Sequence, residues 1–502
     1  MFNKLLEIIK NKPILGWVVF FVVLGGVFLL GLLAASVTER RAEVASVFNN
    51  KRVNITGIES RNELWGKNYP REYNTWSKTA EMDFKSKHLG NMKQDALEER
   101  PAMVVLWAGY PFSMAYEAPR GHKYALEDVR NTVRTGSPDH HGGDKQPSTC
   151  WTCKSPDVPR MMHEVGIAEF YAGKWSKMGA EIVNPIGCAD CHDPLTMNLI
   201  ITRPGLIEAF QRQGKDITKA SPQEMRSLVC AQCHVEYYFK GEGKYLTFPW
   251  DKGTTVEDME KYYDEIKHVD FVHKLSRAPM LKSQHPDYEI FLMGPHAQRG
   301  LSCADCHMPY KSEGGIKYSD HHIMSPLKNV NGTCQTCHKD SEEKLKGYVY
   351  EYQDKIIEIR NIIEKELVKV HVSAKFAWDN GATEKQMEPV LQLIRQAQWR
   401  WDFIGSSHGA SFHAPVESQR ILSHSLDKTH QAMFALQKVL FALGKSEVPM
   451  PDISTKDKAQ IYIGLDMKDI NAKKEVFKKT MIPEWIKSAR DKKKLISDEG
   501  QI

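Results

Sequence analysis

Ten cysteines fall into five Cys-x-x-Cys pairs with none left over. In four pairs the next residue is histidine: Cys188/Cys191 with His192, Cys230/Cys233 with His234, Cys303/Cys306 with His307 and Cys334/Cys337 with His338. In the first pair, Cys150-Trp151-Thr152-Cys153, the next residue is Lys154. A bare Cys-x-x-Cys also suits zinc ribbons and thiol redox sites. The following histidine decides, because two thiols bind a c-type haem covalently while the adjacent imidazole takes the iron from below. With 20 histidines in 502 residues, four in succession at that place would arise by chance only about a few times in a million. The chemistry implied is therefore five covalently held haem c groups.

Lys154 is the exception. An amine binds iron only as the free base, so the metal must displace the proton lysine holds at neutral pH. One divergent ligand among five sites points to a separate role, that of an iron with an open face for substrate. The alternative is a degenerate site that merely passes electrons. The other four irons need a second axial ligand to become closed, electron-carrying centres. Surplus histidines are available at His122, His285, His296, His321, His322, His408 and His413.

Hydrophobic residues make up 41% and charged residues 26% of the chain, enough for one large or two ordinary globular domains and not a disordered composition. The formal charge of +5 is that of the bare polypeptide. Two propionates and one positive ferric centre per haem bring the oxidised holoprotein to about neutral. No clustered basic stripe accompanies the charge, which argues against a nucleic-acid partner.

The elements that position these residues divide into three stretches. Residues 1–41 carry Lys4, Lys10 and Lys12, then an uncharged run from Pro13 to Thr38, then Glu39-Arg40-Arg41. A span takes about 20 apolar residues and a signal-peptide core about 7 to 15, so the run reads as an uncleaved membrane anchor, with a long signal sequence as the alternative. Either exports the remainder to the periplasmic side of the membrane. Residues 42–340 hold the five motifs in segments rich in Gly and Pro, which wrap cofactors more than they build sheets. Their start, from Ala42 to about Ser86, reads as loop-rich, and Asp95 to Val104 as a short helix and turn.

Residues 341–502 change character. Apolar residues from Leu345 to Val370 recur at three- and four-residue spacing, predicting a long helix that ends near Asn380-Gly381. Thr383-Glu384-Lys385-Gln386 has the form of a capping box opening a second helix to Ile404. A third is expected from about Val416 to Leu443. The fold class is thus mainly α: a multihaem cytochrome c with haems packed in a loop-rich helical body, completed by long C-terminal helices in the same body.

With Cys150-Trp151-Thr152-Cys153-Lys154 followed in order by four Cys-x-x-Cys-His motifs, the chain resembles the pentahaem cytochrome c nitrite reductases of ammonia-forming respiration. The likeness extends from Trp107-Ala108-Gly109-Tyr110-Pro111 to the C-terminal helices. It includes Arg134-Thr135-Gly136, Lys154-Ser155-Pro156-Asp157, His234-Val235-Glu236-Tyr237-Tyr238-Phe239, Pro279-Met280-Leu281-Lys282-Ser283-Gln284-His285-Pro286 and Ala397-Gln398-Trp399-Arg400-Trp401-Asp402.

The resemblance implies dissimilatory six-electron reduction of nitrite to ammonium at the lysine-ligated haem, with Arg134, Tyr237 and His285 as the distal catalytic set. Arg134 is a permanent cation suited to an anionic substrate, and His285 can hydrogen-bond its oxygens and deliver protons. It implies a calcium ion held by Glu236, Gln284 and the carbonyls of Tyr237 and Lys282, oxygen donors of the kind a hard cation takes. It assigns distal iron ligands as His321 for the second haem, His122 for the third, His413 for the fourth and His296 for the fifth, with His322 and His408 as competitors. It further implies a homodimer formed through the long helices and electrons supplied by a membrane multihaem quinol dehydrogenase. The rival readings are a passive electron-transfer cytochrome and a reductase acting mainly on hydroxylamine or sulfite.

Overall fold

A computed structural model describes residues 12–48, 53–88, 92–139 and 146–496; Lys4 and Lys10 of the amino-terminal charge pattern lie outside them. Helix α1, Pro13–Phe48, carries no charged residue from Pro13 to Thr38. Within Pro13–Glu43 its most apolar 18-residue window has a mean hydropathy of 2.8, and none of that window is buried in the protein. A helix with such a window and no protein covering it is long and apolar enough to cross a bilayer. The helix continues through Glu39-Arg40-Arg41 rather than ending there. Near its foot Glu43 lies 3.7 Å from Arg71, which also reaches Glu313.

The segment expected to be loop-rich is partly helical: α2 spans Asn62–Asn68 and α3 spans Pro70–Ser77. Pro70 takes the first position of α3, where its fixed φ suits a helix start and its missing N–H is not needed. Trp65 and Trp76 are buried, and their indole N–H groups donate to the carbonyls of Glu59 and Ile186, both at 2.9 Å. The aromatic spacing marks the buried face of these helices.

The motif region is built from short turns. Cys188–Cys191 and Cys303–His307 are single helical turns, Cys230 lies in the last turn of helix Pro222–Ala231, and Cys150 and Cys334 lie in 3-10 turns. Among the described residues strand is confined to three antiparallel two-stranded pairs, Tyr238–Lys240 with Tyr245–Thr247, Phe271–Val272 with Pro279–Met280, and Tyr310–Glu313 with Ile316–Ser319.

Beyond residue 341 come α4, Glu342–Asp379, α5, Glu384–Ser406, and α6, Pro415–Ala442. The capping box forms as the sequence predicts: Gln386 Oε1 accepts from the Thr383 backbone N–H at 2.9 Å. Helix α6 packs along both α4 and α5. Two further helices, Lys456–Tyr462 and α7, Met467–Asp491, complete the chain. Helix α7 is lysine-rich and carries Pro483 in its interior, which hides its apolar stripe from a periodicity reading. Residues of both regions share one hydrophobic core, with Trp107, Trp151, Trp175, Trp399 and Trp401 all buried in it. The motif region and the long helices are one body, and the fold is a mainly helical multihaem cytochrome c fold.

Candidate active site

All ten cysteines are free thiols, as haem attachment requires. Nine of them are half-buried, whereas Cys337 is exposed. The physical reason is its place in the chain. Cys337 follows the short 3-10 turn Cys334–Thr336 and precedes the solvent-facing start of α4 at Glu342, and its sulfur accepts from the Thr336 hydroxyl, 3.8 Å away. A haem attached through Cys334 and Cys337 would therefore present that edge to solvent.

The imidazoles meet in pairs. His192 and His321 have ring centroids 6.1 Å apart, His307 and His413 6.2 Å, and His296 and His338 6.3 Å. Two metal–nitrogen bonds of about 2 Å plus the depth of two rings give this separation, so each pair fits an iron between its members. His122 has no ring distance of this kind, but burial and then the neighbouring charges of His234 and Lys154 pull it down to about 4.

Second contacts orient the rings. His192 Nδ1 bonds the Met197 carbonyl (2.9 Å), His307 Nδ1 the Met324 carbonyl (2.9 Å) and His321 Nδ1 the Ser319 carbonyl (2.8 Å). An Nδ1–H donated to a carbonyl leaves Nε2 as the free lone pair, the tautomer a metal needs. His322, the competitor of His321, turns instead toward Glu81, 3.9 Å away. His408 lies beside His285, ring centroids 5.8 Å apart.

The motifs are contiguous. Cys153 of the first lies close enough to Cys233 of the third for their charges to interact, as does Cys230 of the third to Cys303 of the fourth. Cys191 of the second feels Cys233, and Cys306 of the fourth feels Cys334 and Cys337 of the fifth. The five Cys-x-x-Cys motifs thus lie side by side.

At the first motif the arrangement differs. Among the described residues no carboxylate pairs with the Lys154 amine. Its charge acts on His285, whose protonation is pushed well below the usual histidine range, mainly by burial. Among the described residues His285 Nδ1 is buried without a hydrogen-bond partner. Tyr237 feels Cys153, Cys150 and Tyr110, which places it over the same motif. Arg134 sits in the turn Val133–Thr135, its guanidinium 4.3 Å over the Phe112 ring and 3.7 Å from Glu117. Arg134 keeps partial exposure at 27%, so the cation reaches solvent.

Glu236 is fully buried. Its carboxylate accepts from Tyr263 Oη (3.1 Å), Ser283 Oγ (3.0 Å) and the Gln284 backbone N–H (2.6 Å). Burial pushes it well above the usual carboxylate range. A buried carboxylate with nearby carbonyl and amide oxygens is a place where a divalent cation relieves an uncompensated charge. Gln284 Nε2 donates to the Lys282 carbonyl at 3.2 Å, which gathers a carboxylate, an amide and a carbonyl, groups of the kind calcium takes. The Lys282 side chain plays no part in that set: it turns away to Asp402, with Nζ 2.9 Å from the carboxylate. Among the described residues no three of His, Cys, Asp and Glu converge on a point, so the fit rests on one carboxylate with carbonyl and amide oxygens.

Arg203 escaped the sequence reading, because it stands in no motif. It is fully buried, and its guanidinium donates to the carbonyls of Thr152 (2.8 Å) and Ser155 (2.9 Å) and to the Asp190 carboxylate (2.5 Å). One side chain therefore clamps the loop bearing Lys154 to the turn bearing Cys188 and Cys191. Arg203→Met should strand Asp190 as a buried, unpaired charge and lower stability by about 3–5 kcal/mol. Denaturant unfolding together with the haem-to-protein ratio checks this, and a loss under about 1 kcal/mol with full haem would show that the clamp is dispensable.

The Cytochrome c552 family matches residues 61–494. The chain is 65% identical to cytochrome c-552 of Parabacteroides distasonis over 97% of its own length and 99% of the relative's. It is 45% identical to cytochrome c-552 of Desulfotalea psychrophila, over 92% and 91%. Among solved structures, the catalytic subunit of the cytochrome c nitrite reductase of Desulfovibrio desulfuricans, described for its two calcium sites, superposes with a TM-score of 0.73 at 30% identity, over 83% of this chain and 91% of that one. The haem attachment pairs, the matched imidazoles and this agreement across nearly the whole length mean that the chain belongs to the cytochrome c552 family, the family of the cytochrome c nitrite reductases.

Proposed function

We propose that this chain reduces nitrite to ammonium at a lysine-ligated haem c, fed by four further haems closed by histidine pairs. One nitrite, six electrons and eight protons give one ammonium and two waters. The observation that carries the reading is an asymmetry. Three of the four His-bearing motifs face an imidazole at 6.1–6.3 Å, and His234 has both His122 close by and His285 at 6.4 Å, whereas the motif of Lys154 is bordered by His285 and Tyr237.

When bound, the lysine-ligated haem supplies an open iron and successive electrons. The Arg134 guanidinium draws the anion in and holds its oxygens. His285 hydrogen-bonds the same oxygens and passes protons, and Tyr237 adds a hydroxyl donor. Glu236 and Gln284 flank Tyr237 and His285 in sequence, so a calcium ion bound to them would hold both catalytic side chains in place. The other four irons would be held by His192 with His321, His234 with His122, His307 with His413 and His338 with His296.

The exposed apolar α1 anchors the enzyme on the periplasmic side of the membrane, beside a multihaem quinol dehydrogenase that supplies electrons. The long helices form a homodimer face: Phe434 and Phe441 on α6 are 67% and 86% exposed, more apolar surface than a solvated helix face usually carries.

The test is turnover of the purified haem protein with a reduced viologen dye, measuring ammonium formed per nitrite lost. One ammonium per nitrite is expected. Recovery of nitric or nitrous oxide would overturn the proposed reaction. A ferric protein with no high-spin signal and no response to nitrite would instead favour a passive electron carrier.

A further inference from the structure

Helix α7 begins more than 300 residues after Arg134, and it brings one buried amine against the turn that carries it. Lys474 is 2% exposed. Its Nζ donates to the Gly136 carbonyl at 2.7 Å and to Thr135 Oγ1 at 3.1 Å. The Thr135 hydroxyl proton is directed to the Val129 and Thr132 carbonyls, 2.9 and 3.0 Å away, so its lone pairs are free to accept from the amine. Gly136 has φ of +76°, a left-handed turn whose carbonyl direction depends on being held from outside. From the opposite side Gln146 Nε2 donates to the Arg134 carbonyl at 3.3 Å. The main chain under Arg134 is thus gripped from two directions.

The same amine lies 4.6 Å from the Phe477 ring centroid and 5.9 Å from that of Trp175. Trp175 stacks flat on Trp151, centroids 4.8 Å apart and planes within 1°, and Trp151 follows Cys150 in the first haem motif. One side chain therefore ties the C-terminal helix to both halves of the pocket: the turn of Arg134 and the loop of Lys154. An apolar residue would fill this volume without the cost of burying an amine. Only a donor fixes the carbonyl of Gly136.

We infer that Lys474 is a positioning residue for nitrite binding, acting through Arg134: its two hydrogen bonds set the Arg134-Thr135-Gly136 turn so that the guanidinium meets the anion. The inference rests on the reading of Arg134 as the nitrite-binding cation.

Lys474→Met keeps the bulk and removes both donors. In the holoprotein it should raise the nitrite KM, and the nitrite Kd from optical titration of the oxidised enzyme, about fivefold, the worth of one to two hydrogen bonds. The kcat should change less than about twofold, and the haem-to-protein ratio should not change. Hydroxylamine, an uncharged substrate, should keep its KM. In a double variant with Arg134→Ala, Lys474→Met should add nothing, because the two act as one unit.

An unchanged nitrite KM, an equal rise for hydroxylamine, or effects that multiply with Arg134→Ala would each overturn the inference. If Lys474→Met yields no folded holoprotein, Thr135→Val carries the test by removing one acceptor. A rise of about twofold in nitrite KM supports the inference and no rise overturns it. Should Arg134→Ala itself leave nitrite binding unchanged, the reading of Arg134 falls and this inference with it. Should Arg134→Ala weaken nitrite while Lys474→Met does not, only the role of Lys474 falls.

Discussion

His285→Ala should cut nitrite turnover by about 100- to 10,000-fold in a protein that still carries all its haems. The imidazole stands with its ring centroid 6.4 Å from His234 and 5.8 Å from His408, and its Nδ1 is buried with no hydrogen-bond partner among the described residues. A buried ring nitrogen left open costs free energy unless something else meets it, and the pocket over Lys154 is where a substrate oxygen would do so. The side chain is not needed to close an iron, since the four His-bearing motifs have other imidazoles assigned to them. Loss of turnover with an unchanged pyridine haemochrome spectrum is the expected result. Unchanged kcat would remove His285 from the mechanism, and loss of one haem would show that the ring is a ligand instead.

Glu236→Ala should release calcium and lower turnover about 10- to 100-fold, the usual cost of losing a residue that orients catalytic groups through a metal. The carboxylate is fully buried, and three donors, Tyr263 Oη, Ser283 Oγ and the Gln284 N–H, converge on it. Its truncation leaves those donors unpaired and removes the one carboxylate of the proposed cation site. Elemental analysis of the wild type should find calcium, and of the variant a deficit, with the fall in activity tracking that deficit. A wild type free of calcium, with the variant still impaired, would reduce Glu236 to a packing role. A variant that keeps both calcium and activity would remove the residue from the site.

The pairing of histidines shows how much was legible before folding. Each proximal residue follows from covalent chemistry: the thiols fix the porphyrin edge, and the next residue in the chain has no other place to go. His192, His234, His307 and His338 are therefore readable from spacing alone, as is the singularity of Lys154. Spacing does not say how deep each motif lies, and the exposure of Cys337 follows from where its turn meets the surface. Distal residues have no such local rule. His321 and His322 are adjacent and chemically identical, and what separates them is that His321 bonds the Ser319 carbonyl facing His192 while His322 turns toward Glu81. The helices follow the same division. The lengths of α4, α5 and α6 came from apolar periodicity and the Thr383 capping box. The α2 and α3 helices were missed because they are too short for a periodic signal and are held instead by two buried tryptophans.

By itself the sequence determined which residues carry covalent chemistry: five thiol pairs, four local imidazoles, one amine, and an apolar run long enough to span a bilayer. These are set by spacings of a few residues, where chain connectivity leaves no choice. Only the tertiary structure decided which distant groups meet them. Arg203 gripping the Thr152 and Ser155 carbonyls, Lys474 holding the turn of Arg134, and Glu236 enclosed by Tyr263 and Ser283 all join residues far apart in the chain. Their partners are backbone carbonyls, hydroxyls and single charges that no motif records. A buried polar group must find a partner wherever packing brings one, and that choice belongs to the whole fold.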